Sequence, residues 1–223
     1  MNMRGLLAAA GILALAGCGG EAPVASTETV TEQAAAATPA PRDGCKDIAD
    51  LAAAINEPEP FASLRSGNVI QGGEPLDDHF TTDVAPAGAS CSMGRMEGFS
   101  DDSGMMYVVN CQLFSSGSFD REENGVKAKE IFDKARAEVD RCLPAGWTAR
   151  EGNNNGIETN ESLIYETAAD IEREKTSSTY VYPINLSKEW SDGAGRGQFP
   201  GWKVTLNFQK ETPKADAPAE PAQ

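Results

Sequence analysis

Two segments of this chain alternate apolar and polar residues with a period of two. The first has apolar residues at every odd position from Met105 to Leu113, with Asn110 and Gln112 between them. The second has apolar residues at every even position from Trp202 to Phe208, and the polar residues between and after them are Lys203, Thr205, Asn207 and Gln209. Successive side chains of a strand point to opposite faces of a sheet. Both segments are therefore predicted to be half-buried antiparallel strands with one face in water.

A weaker strand, Ser90–Met96, precedes the first alternating segment and is predicted to form a hairpin with it. Residues 98–104 between them are rich in Gly, Ser and Asp, which favour turns. A hairpin centred on Asp101 places Cys91 opposite Cys111. Opposed Cβ atoms in such a pair lie about 4.5–5.5 Å apart, which is close enough for a disulfide after a small adjustment.

Two amphipathic helices are predicted on either side of this hairpin. The first has the apolar stripe Ile48, Leu51, Ala52 and Ile55, with Asp43 as a plausible cap. The stripe of the second consists of Ala128, Phe132, Ala135, Val139 and Cys142. The spacing of both stripes is that of one helix face.

The remaining segments give less regular patterns. Residues 66–88 are predicted to be a loop, and Trp147–Arg150 a short strand. For Leu163–Ile171 both a strand and a helix fit, and the strand is preferred because its neighbours need a partner. Tyr180–Leu186 is predicted to be a strand and Ser187–Gly201 a long loop.

The order of these elements predicts the fold class. A helix, two strands, a second helix and several strands indicate an α+β two-layer sandwich. Two helices would cover one face of an antiparallel sheet of about 4–6 strands.

The N-terminal segment carries one positive charge, Arg4, and an apolar run from Leu6 to Ala16. A run of this length is typical of a secretory signal peptide and too short to span a bilayer. It ends in Leu15-Ala16-Gly17-Cys18, which resembles the lipobox of bacterial lipoproteins. An ordinary signal peptide with a cysteine at its end is the alternative.

The lipobox resemblance implies a processing step and a location. Residues 1–17 would be removed, and Cys18 would carry the lipid: a thioether-linked diacylglycerol and an acyl chain such as palmitate on its amine. Several acyl chains together give stable anchoring in a bilayer. The resemblance places the protein in the bacterial cell envelope. Gly19, where an inner-membrane retention signal would often have Asp, points to the outer membrane, facing the periplasm.

The resemblance and the composition together suggest four segments. After the signal peptide (1–17), residues 18–42 are predicted to be the lipidated cysteine and a disordered tether rich in Ala, Thr, Pro and Glu. Residues 43–211 are predicted to form a single α+β domain. Residues 212–223, with three prolines and no large apolar residue, are predicted to be a disordered tail.

Four cysteines remain after Cys18. An even number in an exported protein suggests two disulfides, and we favour Cys45–Cys142 together with Cys91–Cys111. The first pair joins the near ends of two antiparallel helices. Three pairings are possible for four cysteines, and the sequence does not select among them. Zinc is disfavoured because the chain has no Cys-x-x-Cys motif and a single histidine, His79.

The net charge is −15, and most of the acidic residues lie within the predicted domain. Such a surface argues against nucleic acid, whose phosphates need Lys and Arg, and against additional docking on anionic lipid. A basic partner fits the charge, although solubility alone explains a negative surface.

The sequence assigns no catalytic residue, cofactor or metal ligand. It contains no Gly-x-Ser-x-Gly motif for a nucleophilic serine. Asp77-Asp78-His79 is better explained as an acidic loop than as a metal site, because adjacent residues of an extended chain point apart. Asp101-Asp102-Ser103-Gly104 lacks the spaced ligands of a calcium loop and is predicted to be a turn.

One loop is a possible recognition surface. Trp190 and Trp202 bracket a glycine-rich segment that contains Arg196 and Phe199. Exposed aromatic and Arg residues are common in binding sites. The favoured alternative is a hairpin loop whose aromatic residues cover the edge of the sheet.

These observations lead to a functional hypothesis. The protein is expected to be a membrane-anchored envelope lipoprotein with a non-enzymatic binding or accessory domain. Its partners would be the bilayer, through Cys18, and an envelope protein or a cell-wall component. A carboxylate-dependent cell-wall hydrolase and an inhibitor of a basic hydrolase are the alternatives.

Overall fold

The computed structural model describes residues 44–98, 103–117, 120–154, 160–177, 180–193 and 200–213. The lipobox, Cys18, the whole tether (residues 18–42), the predicted cap Asp43 and most of the tail lie outside these residues. The helices are α1 (Gly44–Ala54), α2 (Arg121–Cys142) and α3 (Ala168–Thr176), with short 3-10 turns at Ala62–Leu64 and Pro86–Gly88. The strands are β1 (Arg65–Gln71), β2 (Glu74–Thr82), β3 (Ser90–Glu97), β4 (Ser103–Ser115), β5 (Trp147–Glu151), β6 (Glu161–Thr167), β7 (Ile184–Ser191) and β8 (Gly201–Pro213).

All eight strands belong to one antiparallel sheet in the order β1-β2-β3-β4-β8-β7-β6-β5. The two strands with the strongest alternation, β4 and β8, are neighbours at its centre. Their register pairs Val109 with Phe208 and Cys111 with Leu206. The apolar positions of both strands therefore lie on the same face.

The predicted hairpin is confirmed with its register. β3 and β4 pair Cys91 with Cys111 and Met93 with Val109. The two predicted helices are confirmed as well, and they pack on the apolar face of the sheet, where their stripes meet β8 in one core. Ile48, Val139 and Leu206 in this core are 0% exposed. Asp120 caps α2, because its Oδ1 accepts a hydrogen bond from the backbone N of Glu123 at 3.1 Å.

Two disulfides brace this arrangement. Cys45 in the first turn of α1 bonds to Cys142 at the end of α2, with the Cα atoms 4.7 Å apart. Cys91 bonds to Cys111 across β3 and β4, with the Cα atoms 4.0 Å apart. The structure thus pairs the cysteines in the way that the sequence analysis favoured.

The predicted fold class is wrong. The described part of the chain has three helices and eight strands rather than two helices on a sheet of about 4–6 strands. The largest error is the 66–88 segment, predicted to be a loop, which contains β1 and β2. Most residues of this hairpin are exposed, so no apolar alternation identifies it. Its turn is formed by Gly72 and Gly73, whose φ angles of 64° and 91° favour glycine.

Two further segments differ from the prediction. The 163–171 segment divides at Thr167 into strand β6 and helix α3. Thr167 Oγ1 accepts from the backbone N of Asp170 at 3.3 Å, and Asp170 Oδ2 accepts from the backbone N of Thr167 at 3.0 Å, which is a capping box. β7 runs from Ile184 to Ser191, so it begins within the predicted strand Tyr180–Leu186 and ends within the predicted loop Ser187–Gly201.

Removing the two disulfides should have unequal effects on stability. Cys45 and Cys142 are 97 residues apart, and Cys91 and Cys111 are 20 apart. Loop-closure entropy gives about 4.7 kcal/mol for the first bridge and about 3.3 kcal/mol for the second. We therefore expect the Cys45→Ala/Cys142→Ala variant to lose about 1.4 kcal/mol more unfolding free energy in urea than Cys91→Ala/Cys111→Ala. An equal or reversed loss would contradict this expectation.

Candidate functional site

The predicted recognition loop starts from a tryptophan pair. Trp190 on β7 lies opposite Trp202 on β8, and their ring centroids are 5.6 Å apart. Arg196 and Phe199 lie outside the described residues, so the structure brings together two of the four residues.

Trp202 is a packing residue. Its side chain is 3% exposed, and its Nε1 donates to the backbone O of Arg121 at 2.8 Å. Gly125 of α2 lies against the ring, where a Cβ atom would approach three ring atoms to 3.3 Å. Trp190 is part-exposed, with the Arg121 guanidinium 5.6 Å from its ring centroid. This corner therefore fastens the start of α2 to the sheet.

Beside the tryptophans lies a buried lysine that sequence reasoning missed. Lys188 is 5% exposed, and its Nζ contacts Glu161 on the neighbouring strand β6 and lies 5.5 Å from the Trp202 ring centroid. Lys129 of α2 lies 3.9 Å from the same carboxylate. The group borders a cavity of about 240 Å³, whose lining includes Glu161, Asn160 and Arg136. The contact between Lys188 and Glu161 ties β7 to β6, and Lys129 also pairs with Asp133 at 2.9 Å.

The face of the sheet opposite α1 and α2 carries rows of polar side chains. Residues aligned by the strand pairing form two rows that run across the strands. We call their nine uncharged polar residues the polar face. The first row is Ser90, Gln112, Thr205, Ser187 and Ser162, and the second is Ser92, Asn110, Asn207 and Asn185. Two residues further along β7 and β8, the same face carries the charged pair Glu189 and Lys203.

Hydrogen bonds between side chains connect neighbouring members of the polar face. Asn110 Nδ2 donates to Asn207 Oδ1 at 2.5 Å, and the hydroxyls of Ser187 and Thr205 lie 3.0 Å apart. Asn185 Nδ2 donates to Ser162 Oγ at 2.8 Å. Such bonds hold polar side chains in defined orientations.

The exposure of the polar face increases from β6 towards β3. Ser187 on β7 is buried, Thr205 and Asn207 on β8 are half-buried, and Asn110 and Gln112 on β4 are exposed. The accessible part of the face therefore lies over β3, β4 and β8.

A charged cluster lies on the same face beyond β7. Glu166 on β6 is 1% exposed, and its Oε2 accepts from Arg150 Nε at 2.6 Å. Arg150 also donates to both carboxylate oxygens of Glu174 in α3, at 2.9 and 3.0 Å. Its guanidinium lies 5.0 Å from the ring centroid of Tyr182. The cluster therefore fastens α3 and the start of β7 to the outer strands.

The electrostatic environment of this cluster favours the charged form of Arg150 and the neutral form of Tyr180. The hydrogen bond to Glu166 holds the pKa of Arg150 above its usual value. Burial, with the negative charge of Asp170, raises the pKa of Tyr180. Burial, with the nearby Arg173, lowers the pKa of Lys210.

A second group of acidic residues lies beside α1. A groove of about 460 Å³ beside α1 is lined by Asp47, Asp50 and Asp83 among others, and of these three only Asp47 is buried. Asp47 Oδ2 accepts from the backbone N of Ala85 at 3.0 Å, so it holds the chain after β2.

The Asp77-Asp78-His79 segment belongs to β2 rather than to a loop. Asp78 Oδ1 accepts from Arg95 Nε at 2.8 Å. Among the residues that the structure describes, no group of three or more His, Cys, Asp or Glu side chains could hold a metal ion. In the same residues, no helix is long and apolar enough to cross a membrane.

Comparison of the chain with protein-family models, curated proteins and solved structures gives no match. The candidate site therefore depends on geometry alone. The polar face is the strongest candidate, because it is accessible over β3, β4 and β8 and its side chains are regularly spaced.

Replacing Arg150 should destabilise the fold. In Arg150→Met the Glu166 carboxylate would remain buried without its counter-charge, which costs about 3–5 kcal/mol of unfolding free energy. The matched control is Arg141→Met, at an exposed position of α2, which should change the unfolding free energy by less than about 0.5 kcal/mol. Urea unfolding measures both. Equal effects of the two substitutions would show that the Arg150–Glu166 contact contributes little.

Proposed function

We propose that this protein is a lipid-anchored, non-enzymatic binding domain of the bacterial cell envelope. The anchor is the acylated Cys18 of the Leu15–Cys18 tetrapeptide, and the domain faces the periplasm from the outer membrane. The sequence of the N-terminal segment supports the anchor and the location.

The observation that carries the binding role is the one-sided covering of the sheet. α1 and α2 pack on the apolar face, while Asn110 and Gln112 on the other face stay exposed. On this face the exposed Asn110 side chain is held by its hydrogen bond to Asn207, and a side chain that is already ordered loses little conformational entropy when it binds a ligand. This arrangement favours binding as the role of the domain.

The tether gives the domain its reach. Residues 18–42, as a flexible chain, would span roughly 25–30 Å on average. That distance lets the domain contact structures near the membrane surface without contacting lipid. A binding role for a domain held at one membrane is consistent with such a tether.

The anchor is tested by replacing the cysteine. We expect the wild-type chain, expressed in a bacterium, to incorporate radiolabelled palmitate and to sediment with the membranes. Cys18→Ser should remove the acceptor for lipid, so this variant should be unlabelled. Cys45→Ala/Cys142→Ala is the control for loss of a cysteine and should remain labelled. Palmitate labelling of Cys18→Ser at the wild-type level would contradict lipid anchoring at this residue.

A further inference from the structure

The cavity beside Lys188 lies between α2 and the outer strands of the sheet. Its lining comes from α2, from the end of β5 and from the beginning of β6, and most of the lining residues are polar or charged. Phe132 of α2 is 2% exposed and gives the cavity an apolar wall. A volume of about 240 Å³ has room for about eight water molecules at about 30 Å³ each. The cavity is therefore the size of an amino acid or a small dipeptide.

A guanidinium group with free donors lines this cavity. Arg136 of α2 belongs to the lining, and its Nε lies 3.7 Å from the carboxylate of Asp140, which is beyond hydrogen-bond distance. Glu161, the acidic residue of the same lining, already contacts Lys188 and lies 3.9 Å from Lys129. Within the described ranges Arg136 forms no hydrogen bond. Its donors are therefore available to an anionic group in the cavity.

A buried carboxamide supplies a second donor. Asn160 is 7% exposed and lines the cavity. Its Oδ1 accepts a hydrogen bond from the backbone N of Trp190 at 2.8 Å, and because a backbone N–H needs an acceptor, this bond fixes the orientation of the carboxamide. Asn160 Nδ2 has no hydrogen-bond partner in the part of the chain that the structure describes. Polar groups on buried side chains nearly always have a partner, and an acceptor on a ligand would provide it.

A carboxylate without a partner lies on another wall of the cavity. Glu151 is the last residue of β5 and is exposed, and it belongs to the lining. Its side chain forms no ion pair or hydrogen bond with the other described residues. The cavity therefore has a positive group on α2 and a negative group on β5.

We propose that this cavity binds a small zwitterion, an amino acid or a dipeptide. Its carboxylate would accept charge-assisted hydrogen bonds from Arg136 and a hydrogen bond from Asn160 Nδ2, and its ammonium group would donate to Glu151. A simple anion would leave Glu151 without a partner, and a simple amine would leave Arg136 and Asn160 without one. The cavity is apart from the accessible part of the polar face over β3, β4 and β8, so this site is additional to the proposed binding surface.

The test is an NMR titration of the isotope-labelled full chain, held in detergent micelles, with three probes. Glycylglycine carries both charges, glycylglycinamide lacks the carboxylate, and N-acetylglycylglycine lacks the ammonium group. The side-chain amide signal of Asn160 reports on its donor directly. We expect glycylglycine to shift this signal saturably. Each of the other probes should bind about tenfold more weakly, because each loses one charge-assisted interaction.

Substitutions of Arg136 and Glu151 test the two charged groups separately. Both residues are exposed, so Arg136→Gln and Glu151→Gln should leave the unfolding midpoint unchanged. Arg136→Gln should weaken glycylglycine binding about tenfold and remove its advantage over glycylglycinamide. Glu151→Gln should remove the advantage of glycylglycine over N-acetylglycylglycine. Lys134→Gln removes a positive charge from an exposed position of α2 outside the cavity lining and should bind glycylglycine as the wild type does.

Three results would overturn the zwitterion site. The first is the absence of a saturable shift with glycylglycine, and the second is binding that depends on only one of the two charges or on neither. The third is an equal affinity for glycylglycine in the Arg136→Gln, Glu151→Gln and Lys134→Gln variants. None of these substitutions changes the accessible part of the polar face, so failure of this site would leave the proposed function standing.

Discussion

The pairing of β4 with β8 is the interaction on which the rest of the structure depends. It places Val109 opposite Phe208 and Cys111 opposite Leu206, and all four are 0% exposed. Burial of an apolar side chain of this size contributes about 1.5–3 kcal/mol. A slip of one residue in this register would turn the apolar side chains of one strand to water, so the register is strongly specified.

The same register determines both faces of the molecule. On the apolar side it forms the surface against which α1 and α2 pack, and the Cys45–Cys142 bridge then joins the ends of these helices. On the other side it brings Asn110 opposite Asn207 and Gln112 opposite Thr205. The core that stabilises the domain and the surface that we propose for binding therefore have one physical origin.

The sequence predicts best the elements that have one dry face and one wet face. The β3–β4 hairpin, β8 and the helices α1 and α2 could be recognised from their periodicity. A half-buried element has such a periodicity because one side of it contacts the core and the other contacts water. The β1–β2 hairpin could not be recognised, because most of its residues are exposed on both faces. Lys188 interrupts the apolar pattern of β7, and its partner Glu161 is on another strand, so no local signal marks that pair.

Prediction of the candidate site was partial for a related reason. The polar positions of β4 and β8 follow from alternation along each strand. The contributions of Ser162, Asn185 and Ser187 depend on how β6 and β7 pair with β8, which is a relation between distant segments. The tryptophan loop, in contrast, was chosen from composition, and composition does not show that Trp202 is buried under α2.

The most direct test of the binding role of the polar face is the alkylation rate of a thiol placed on it. Gln112→Cys and Gln71→Cys would each be labelled with a small maleimide, in the purified full chain and in intact cells. We expect similar rates for the two thiols in the purified chain, because both positions are exposed. In cells we expect the thiol at position 112 to react several-fold more slowly, because a ligand covers the polar face. The same ratio of rates in both settings would contradict the claim that this face is the binding surface.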